Sequence, residues 1–265
     1  MKVAILGKFL KSEPSHYITK LVSLLKKRKV SIFLEEEYYS QLKELLPENI
    51  NSFTELDKSY DLLISIGGDG TILKAITFVK HLSIPIVGIN SGRLGFLAKI
   101  KIDKIEEAID EIISGNYSIS ERSLIEVVTS EKNNELSKLN FALNEIAVSR
   151  KNTTSMISIE TKLDDKYLNS YWADGLIIAT PTGSTGYSLS CGGPIIMPEA
   201  ENLVITPIAP HNLNARPLII ADNTEISLKV NGRENEFLIS LDSRITTLSN
   251  TNVVVIKKSP FKIKM

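Results

Sequence analysis

The chain of 265 residues has a single cysteine, Cys191, so no disulfide can close within one copy, and a reducing compartment is expected. Basic and acidic residues balance at 31 each, which weakens a nucleic-acid-binding reading, since such proteins usually carry a basic excess. The one basic cluster, Lys26-Lys27-Arg28-Lys29, suits the solvated C-terminal end of a helix, where cations also favour the dipole. No apolar run is long enough to span a bilayer. Met1-Lys2 leads at once into a strand-like run bounded by Gly7, with no signal-peptide pattern. A cytoplasmic protein without membrane partners is expected. Three scattered histidines and one cysteine offer no zinc site, and no protein-held metal site is assigned.

What is present is an ordinary globular composition, 43% hydrophobic and 23% charged, long enough for one large domain or two modest ones. The first part alternates short apolar runs with helical periodicity. Strands are expected at 2–6, 30–34, 61–66 and 84–89, and helices near 18–25, 38–46, 71–82 and 105–113, the last stopped by Gly115. Such an order implies a parallel sheet covered by helices. After about residue 118 strand-like segments follow one another, at 124–128, 140–148, 156–161, 175–179, 218–220, 225–230, 237–241 and 253–256. The expected fold class is α/β plus all-β: a Rossmann-like α/β domain over 1–118, then a β-sandwich-like domain over 119–265. A return of the last strand to the first domain is left open, and a cleft between the domains is the default place for a site.

Asp61-Leu-Leu-Ile-Ser-Ile-Gly-Gly-Asp-Gly-Thr71 carries the strongest local signal. An apolar strand runs into a glycine turn from which a helix starts at once. Glycines let a ligand approach the backbone, and the helix N-terminus offers free N–H groups to an anion. Gly67, Gly68, Gly70 and Thr71 are therefore candidate phosphate-binding residues. Asp69 is placed to meet a bound hydroxyl or a metal. A purely structural βα turn would use glycines and a capping Asp or Thr too. The strand, turn and helix start taken together favour a ligand. A P-loop is excluded because the only Gly-Lys, Gly7-Lys8, precedes Phe9. The dinucleotide fingerprint fails because its third glycine position falls on Leu73.

A second apolar strand from Asp174-Gly175 ends in a loop dense in Thr, Ser and Gly that runs to Pro194. Its hydroxyls and amides suit ribose, phosphate or a base edge, and Tyr187 suits stacking on a purine. Gly186-Tyr-Ser-Leu-Ser190 nearly matches a hydrolase elbow but lacks the second glycine, and nothing pairs Ser188 with a histidine. Asn144-Glu145 interrupts the apolar run 141–148; such a pair can grip a ribose diol, although an outward strand position would explain it as well.

These segments, with Asn90-Ser-Gly-Arg-Leu-Gly-Phe-Leu97 and Pro210-His-Asn-Leu-Asn-Ala-Arg-Pro217, resemble the NAD kinase family in order and over most of the chain. The Gly-Gly-Asp-Gly turn is shared with diacylglycerol kinases and phosphofructokinases; the loop after Asp174 is more specific. The resemblance implies phosphoryl transfer from ATP, or polyphosphate, to the 2′-hydroxyl of the adenosine ribose of NAD. It further implies Mg²⁺ or another divalent cation, a homodimer or homotetramer, and NAD bound between domains and across subunits. Asp69 would be the catalytic carboxylate, and Gly67, Gly68, Gly70 and Thr71 would cradle the donor phosphates. Asn144, Glu145, Asp174, Thr182, Thr185, Gly186, Tyr187 and Ser190 would bind NAD. Gly186 stands where Ala is frequent, Trp172 where a basic residue is frequent, and Asp242-Ser243-Arg244 where Asp-Gly-Gln is frequent; the last segment is assigned no role. The alternatives weighed are a lipid kinase of the diacylglycerol kinase type and a non-catalytic NAD-binding sensor.

Overall fold

A computed structural model describes residues 1–8, 16–92, 95–152, 155–212 and 214–265, apart from the side chains of His16 and Glu135. The chain forms two compact units, Met1–Glu121 with Ile263–Met265, and Arg122–Lys262.

The first unit contains β1 (Lys2–Gly7), α1 (His16–Lys27), β2 (Ser31–Glu35), α2 (Glu36–Leu42), β3 (Asn51–Phe53), β4 (Leu62–Ile66), α3 (Asp69–Val79), β5 (Ile86–Asn90), β6 (Ile100–Lys101) and α4 (Ile105–Ser114). Its strands form one sheet in the order β3-β2-β1-β4-β5-β6, and every pair is parallel. Parallel interior strands are covered on both faces, which is why β4, Leu-Leu-Ile-Ser-Ile, is buried throughout. The helices contribute the periodic positions seen in the sequence. Ile18, Leu21, Val22 and Leu25 of α1 are buried, as are Ile72, Ala75, Ile76 and Val79 of α3. Gly115 ends α4 in the left-handed region (φ 75°), its N–H on the carbonyls of Glu111 and Ile112. The basic cluster lies at the end of α1, as expected, and Arg28 pairs with Asp110. This strand order reverses direction between β1 and β4, and in open parallel sheets ligands bind beyond the carboxyl ends of the strands at such a point. Those ends are Gly7 and Ile66, so the glycine turn after Ile66 stands at the switch point.

Apart from Glu121 and Ile263–Lys264 at the ends of its first and last strands, the second unit holds β7 (Glu121–Thr129), α5 (Asn134–Lys138), β8 (Phe141–Ala142), β9 (Glu145–Arg150), β10 (Ile157–Leu163), β11 (Lys166–Ala173), β12 (Gly175–Ala179), α6 (Tyr187–Ser190), β13 (Asn202–Ile208), β14 (Leu218–Ala221), β15 (Ile226–Asn231), β16 (Glu236–Leu241), β17 (Arg244–Ser249) and β18 (Val253–Lys264). They build two six-stranded sheets, β11-β10-β15-β18-β7-β8 and β14-β13-β12-β9-β16-β17. Alternate residues of both meet in one core, with Ile159, Leu228, Val230, Val254 and Ile256 from the first sheet and Ile146, Val148, Leu176 and Ile178 from the second. The far side of the second sheet is covered as well: Ala147, Ile177, Ala179 and Val204 pack with Cys191 and Ile196 of the loop after β12. Among the described residues no helix is long and apolar enough to cross a membrane.

The expected α/β sheet followed by β sheets is observed. Five strands lie outside the expected segments, the short β3 and β6 in the first sheet and β11, β13 and β17 in the others, and the expected single strand over 140–148 is two, β8 and β9, separated by Leu143 and Asn144. The break arises because a distant carboxylate, described below, takes the main-chain N–H groups there in place of a neighbouring strand.

Candidate functional site

The expected site residues fall in both units, and each group has its own geometry. In the first unit, Gly67 adopts φ 151°, a conformation open to glycine, and a Cβ there would meet Thr71 Oγ1 at 2.2 Å. Gly68 precedes the first residue of α3 without any side-chain cap. At Gly68 and Gly70 an added Cβ would meet nothing within 4 Å. The turn therefore faces open space, with the unsatisfied N–H groups of a helix start directed at it. The space is a pocket of about 590 Å³ lined by Gly7, Lys8, Glu37, Tyr38, Gln41, Gly68, Gly70, Thr71 and Lys74. Gly7 is required beside it, because a Cβ would meet the Tyr38 ring at 2.4 Å.

Asp69 is held by three main-chain N–H groups. The Phe96 N–H donates to its Oδ2 at 2.8 Å, and the Leu97 and Ala98 N–H groups donate to Oδ1 at 3.0 and 3.2 Å. A carboxylate offers about four acceptor directions, so three such bonds leave one, on Oδ2. Gly95 is needed for this arrangement, since a Cβ would meet Asp69 Oδ1 at 2.2 Å. Asn90 fixes the same segment, its Oδ1 accepting from the Gly92 N–H at 2.8 Å and its Nδ2 donating to the Ala98 carbonyl at 3.4 Å. The second glycine segment thus holds the aspartate of the first. Arg93 and Leu94 lie outside the described residues.

In the second unit, Asn144 and Glu145 meet the loop after β12. Gly183 packs so close that a Cβ would sit 2.0 Å from the Asn144 carbonyl oxygen, and the Thr180 N–H donates to that oxygen at 2.9 Å. Gly186 stands over both side chains, where a Cβ would come within 2.9 Å of Glu145 Oε2 and 3.9 Å of Asn144 Nδ2. Glu145 is 9% exposed, and its buried Oε2 has no hydrogen-bond partner among the described residues. Burial, and then the nearby Asp242 charge, raise its carboxyl from the ordinary 4.5 to about 7, against a lowering pull from the Tyr187 main-chain N–H. A buried acceptor left without a partner is costly, and a ligand hydroxyl can supply the missing bond.

The remaining expected residues divide. Thr182 is buried and Thr185 is half-buried, its hydroxyl donating to the Thr182 carbonyl at 3.2 Å. Tyr187 is 46% exposed and Ser190 is exposed, so both present surface to a ligand. Burial first, then Cys191, Asp174 and Glu145, push the Tyr187 phenol up. Asp174 is engaged by Arg150 Nη2 at 2.9 Å. Ser188 is fully buried and shares a 2.8 Å hydrogen bond with Thr206 Oγ1, which removes any nucleophilic elbow.

The segment given no role in the sequence proves to support the site. Asp242 begins the two-residue β16–β17 turn with φ 53°. Its Oδ1 accepts from the Asn144 and Glu145 N–H groups at 2.8 and 3.2 Å, and its Oδ2 from Leu143 at 3.0 Å. Arg244 donates to the carbonyls of Leu139 and Phe141 and lies over the Phe141 ring. The available signal was an Asp in a two-residue turn between apolar strands, where it can bond local backbone and tolerate positive φ. Trp172 also has structural partners: its ring meets His211 edge-on at 4.6 Å, and its main-chain N–H donates to Asn212 Oδ1 at 3.0 Å. Among the described residues no group of three or more His, Cys, Asp or Glu could hold a metal ion.

Against this geometry stand the likenesses to known proteins. The family model described as the ATP-NAD kinase N-terminal domain matches residues 3–117, and that of the ATP-NAD kinase C-terminal domain matches 143–265. The chain is 54% identical to an NAD kinase of Flavobacterium psychrophilum over 270 aligned positions, covering all of this chain and 92% of that protein. It is 43% identical to an NAD kinase of Bacteroides fragilis, again over all of this chain and 92% of the relative. Among solved structures, an NAD kinase from Archaeoglobus fulgidus in complex with ATP matches with a TM-score of 0.79 at 25% identity, over 100% of this chain and 93% of that one. Yeast NADH kinase complexed with NADH shares the fold, with a TM-score of 0.86 at 23% identity over 99% of this chain and 82% of that one.

Proposed function

The chain belongs to the ATP-NAD kinase family, and from that premise we propose that it transfers the terminal phosphoryl group of ATP to the 2′-hydroxyl of the adenosine ribose of NAD, giving NADP and ADP. The observation that carries the reading is the glycine turn at the switch point: open amides at the start of α3 beside a carboxylate anchored by three main-chain N–H groups. Nothing favours the lipid-kinase or sensor alternative.

A ribose hydroxyl is a poor nucleophile at neutral pH. The remaining acceptor direction on Asp69 Oδ2 takes its proton as the new P–O bond forms and the bond to the departing diphosphate breaks. Phosphoryl transfer passes through a loose transition state, so positioning and charge neutralisation dominate the catalysis. The N–H groups around Gly68 and Gly70 supply part of that neutralisation without reorganising. NAD is held by Asn144 and Glu145, whose unpartnered Oε2 accepts a ribose hydroxyl, with Thr182, Thr185, Gly186, Tyr187, Ser190 and Asp174 completing its surroundings. Mg²⁺ is typically held by one or two carboxylates together with substrate phosphates, so here the donor phosphates would supply most of its ligands. When bound, the ion would supply charge neutralisation on the donor phosphates.

A cytoplasmic homodimer or homotetramer completes the reading. Exposed Ile195, Met197 and Ile245 on the second unit support self-association, which light scattering checks. The activity itself is tested by a coupled assay in which an NADP-specific dehydrogenase reports product from purified chain, NAD, ATP and Mg²⁺. NADP is expected with NAD and absent without it; folded protein yielding none with ATP or polyphosphate overturns the reading.

A further inference from the structure

The pocket beyond β1 and β4 holds a charge arrangement that the assigned reaction leaves unexplained. Lys74, in the second turn of the helix that the glycine turn begins, lines it together with Lys8. The Lys74 ammonium lies 3.4 Å from Glu35 Oε1 and 3.1 Å from Glu37 Oε2. The two glutamates are not equivalent. Glu35 is buried and its other oxygen accepts the Tyr38 N–H at 3.0 Å, capping α2, so it is tied in place. The Glu37 side chain is 68% exposed and lines the pocket itself. An exposed ion pair contributes little and is readily exchanged. A polyphosphate entering this pocket meets the turn amides at one end, and it meets an ammonium already covered by a mobile-length carboxylate at the other.

We propose that Glu37 is a tethered competitor for the donor's phosphates. It covers the Lys74 ammonium in the empty pocket and yields it to the incoming triphosphate, while Glu35 keeps the lysine aimed. An anion must displace Glu37 to gain Lys74, so the pair raises the concentration of donor required and favours donors with the most negative charge. This rests on the reading of the pocket as the phosphate-donor site of an NAD kinase.

The test is a double-mutant cycle on the full-length chain, read by calorimetric titration with ATP and by the KM for ATP at saturating NAD. Glu37→Gln is expected to tighten ATP binding and lower KM about two- to fivefold, the range that an exposed pair commands. Lys74→Met is expected to weaken both about tenfold or more, as loss of a charge-assisted bond to phosphate does. In the double variant the gain from Glu37→Gln disappears, because there is no ammonium left to release. Glu36→Gln, exposed on the same turn and outside the pocket lining, leaves ATP binding unchanged. A Glu37→Gln chain that binds ATP no better, or whose gain survives in the Lys74→Met background, overturns the proposal. Wild-type chain that makes no NADP overturns the functional reading instead. Thermal unfolding of each variant separates a lost fold from a lost contact.

Discussion

Glu145→Gln should change how stability depends on pH. In the folded chain burial and the Asp242 charge favour the protonated form of Glu145, raising its carboxyl from 4.5 to about 7. In the unfolded chain it titrates near 4.5. The folded state is therefore fully favoured below pH 4.5 and loses stability as pH rises, until the group is ionised in both states above pH 7. A difference of about 2.5 pH units corresponds to about 3 kcal/mol, nearly all of it lost between pH 4.5 and 7.5. The side chain is 9% exposed, so solvent screening removes little of this. Gln keeps the shape and cannot ionise. The sole tryptophan, Trp172, lies in the same unit, so urea unfolding followed by its fluorescence reports on the correct part of the chain. With both chains measured from pH 4.5 to 8, the Gln variant should gain about 3 kcal/mol on wild type across the range, with equal slopes against urea. Subtracting the two curves cancels the titrations they share. Parallel curves would refute the claim that Glu145 is carried as a buried acid, and with it the argument that its Oε2 waits for a ligand hydroxyl.

Three other substitutions probe the supports of the two groups. Asp69→Asn should remove most turnover while NAD still binds; because an amide nitrogen cannot accept, it also strands an N–H of Phe96, Leu97 or Ala98 and costs about 1–3 kcal/mol, read by thermal unfolding. Near-normal turnover in that variant removes the proton-acceptor role. Gly67→Ala should destabilise the first unit by about 1–3 kcal/mol from its φ of 151° and the contact with Thr71, seen as faster amide exchange along α3. Asp242→Asn should loosen the Leu143–Glu145 main chain and weaken NAD binding, and by removing a neighbouring charge it should move the Glu145 transition below pH 7. An unchanged pH profile there denies the coupling between the two carboxyl groups.

What the sequence disclosed depended on whether the signal was local. The glycine turn could be read because strand, turn and helix start occupy consecutive residues, and the helices because α1, α3 and α4 bury one face at regular spacing. Strands β11 and β13 were hidden for opposite reasons. β11, Lys-Tyr-Leu-Asn-Ser-Tyr-Trp-Ala, is an edge strand with few buried positions, while β13 carries Pro207 inside an otherwise apolar run. The break at Leu143-Asn144 was invisible because its cause lies 97 to 99 residues away, in Asp242.

The same distinction separates the site residues from their supports. Asp69 could be named from its own turn, but its anchoring on Phe96, Leu97 and Ala98 required the fold, and only the fold shows why Gly95 must lack a side chain. Glu145 could be named as a charged residue in an apolar run, but not as an acid whose titration is raised to about 7, which follows from burial and a second carboxylate. Gly186 stands where the resembled family frequently has alanine. Here it leaves room for Glu145 Oε2, where a methyl group would stand at 2.9 Å, tighter than nearly all ordinary carbon contacts. The chain has therefore paired a glycine at 186 with an unobstructed carboxyl at 145. Gly186→Ala should push that carboxyl aside and weaken NAD binding without touching the donor pocket, so that KM for NAD rises while KM for ATP holds.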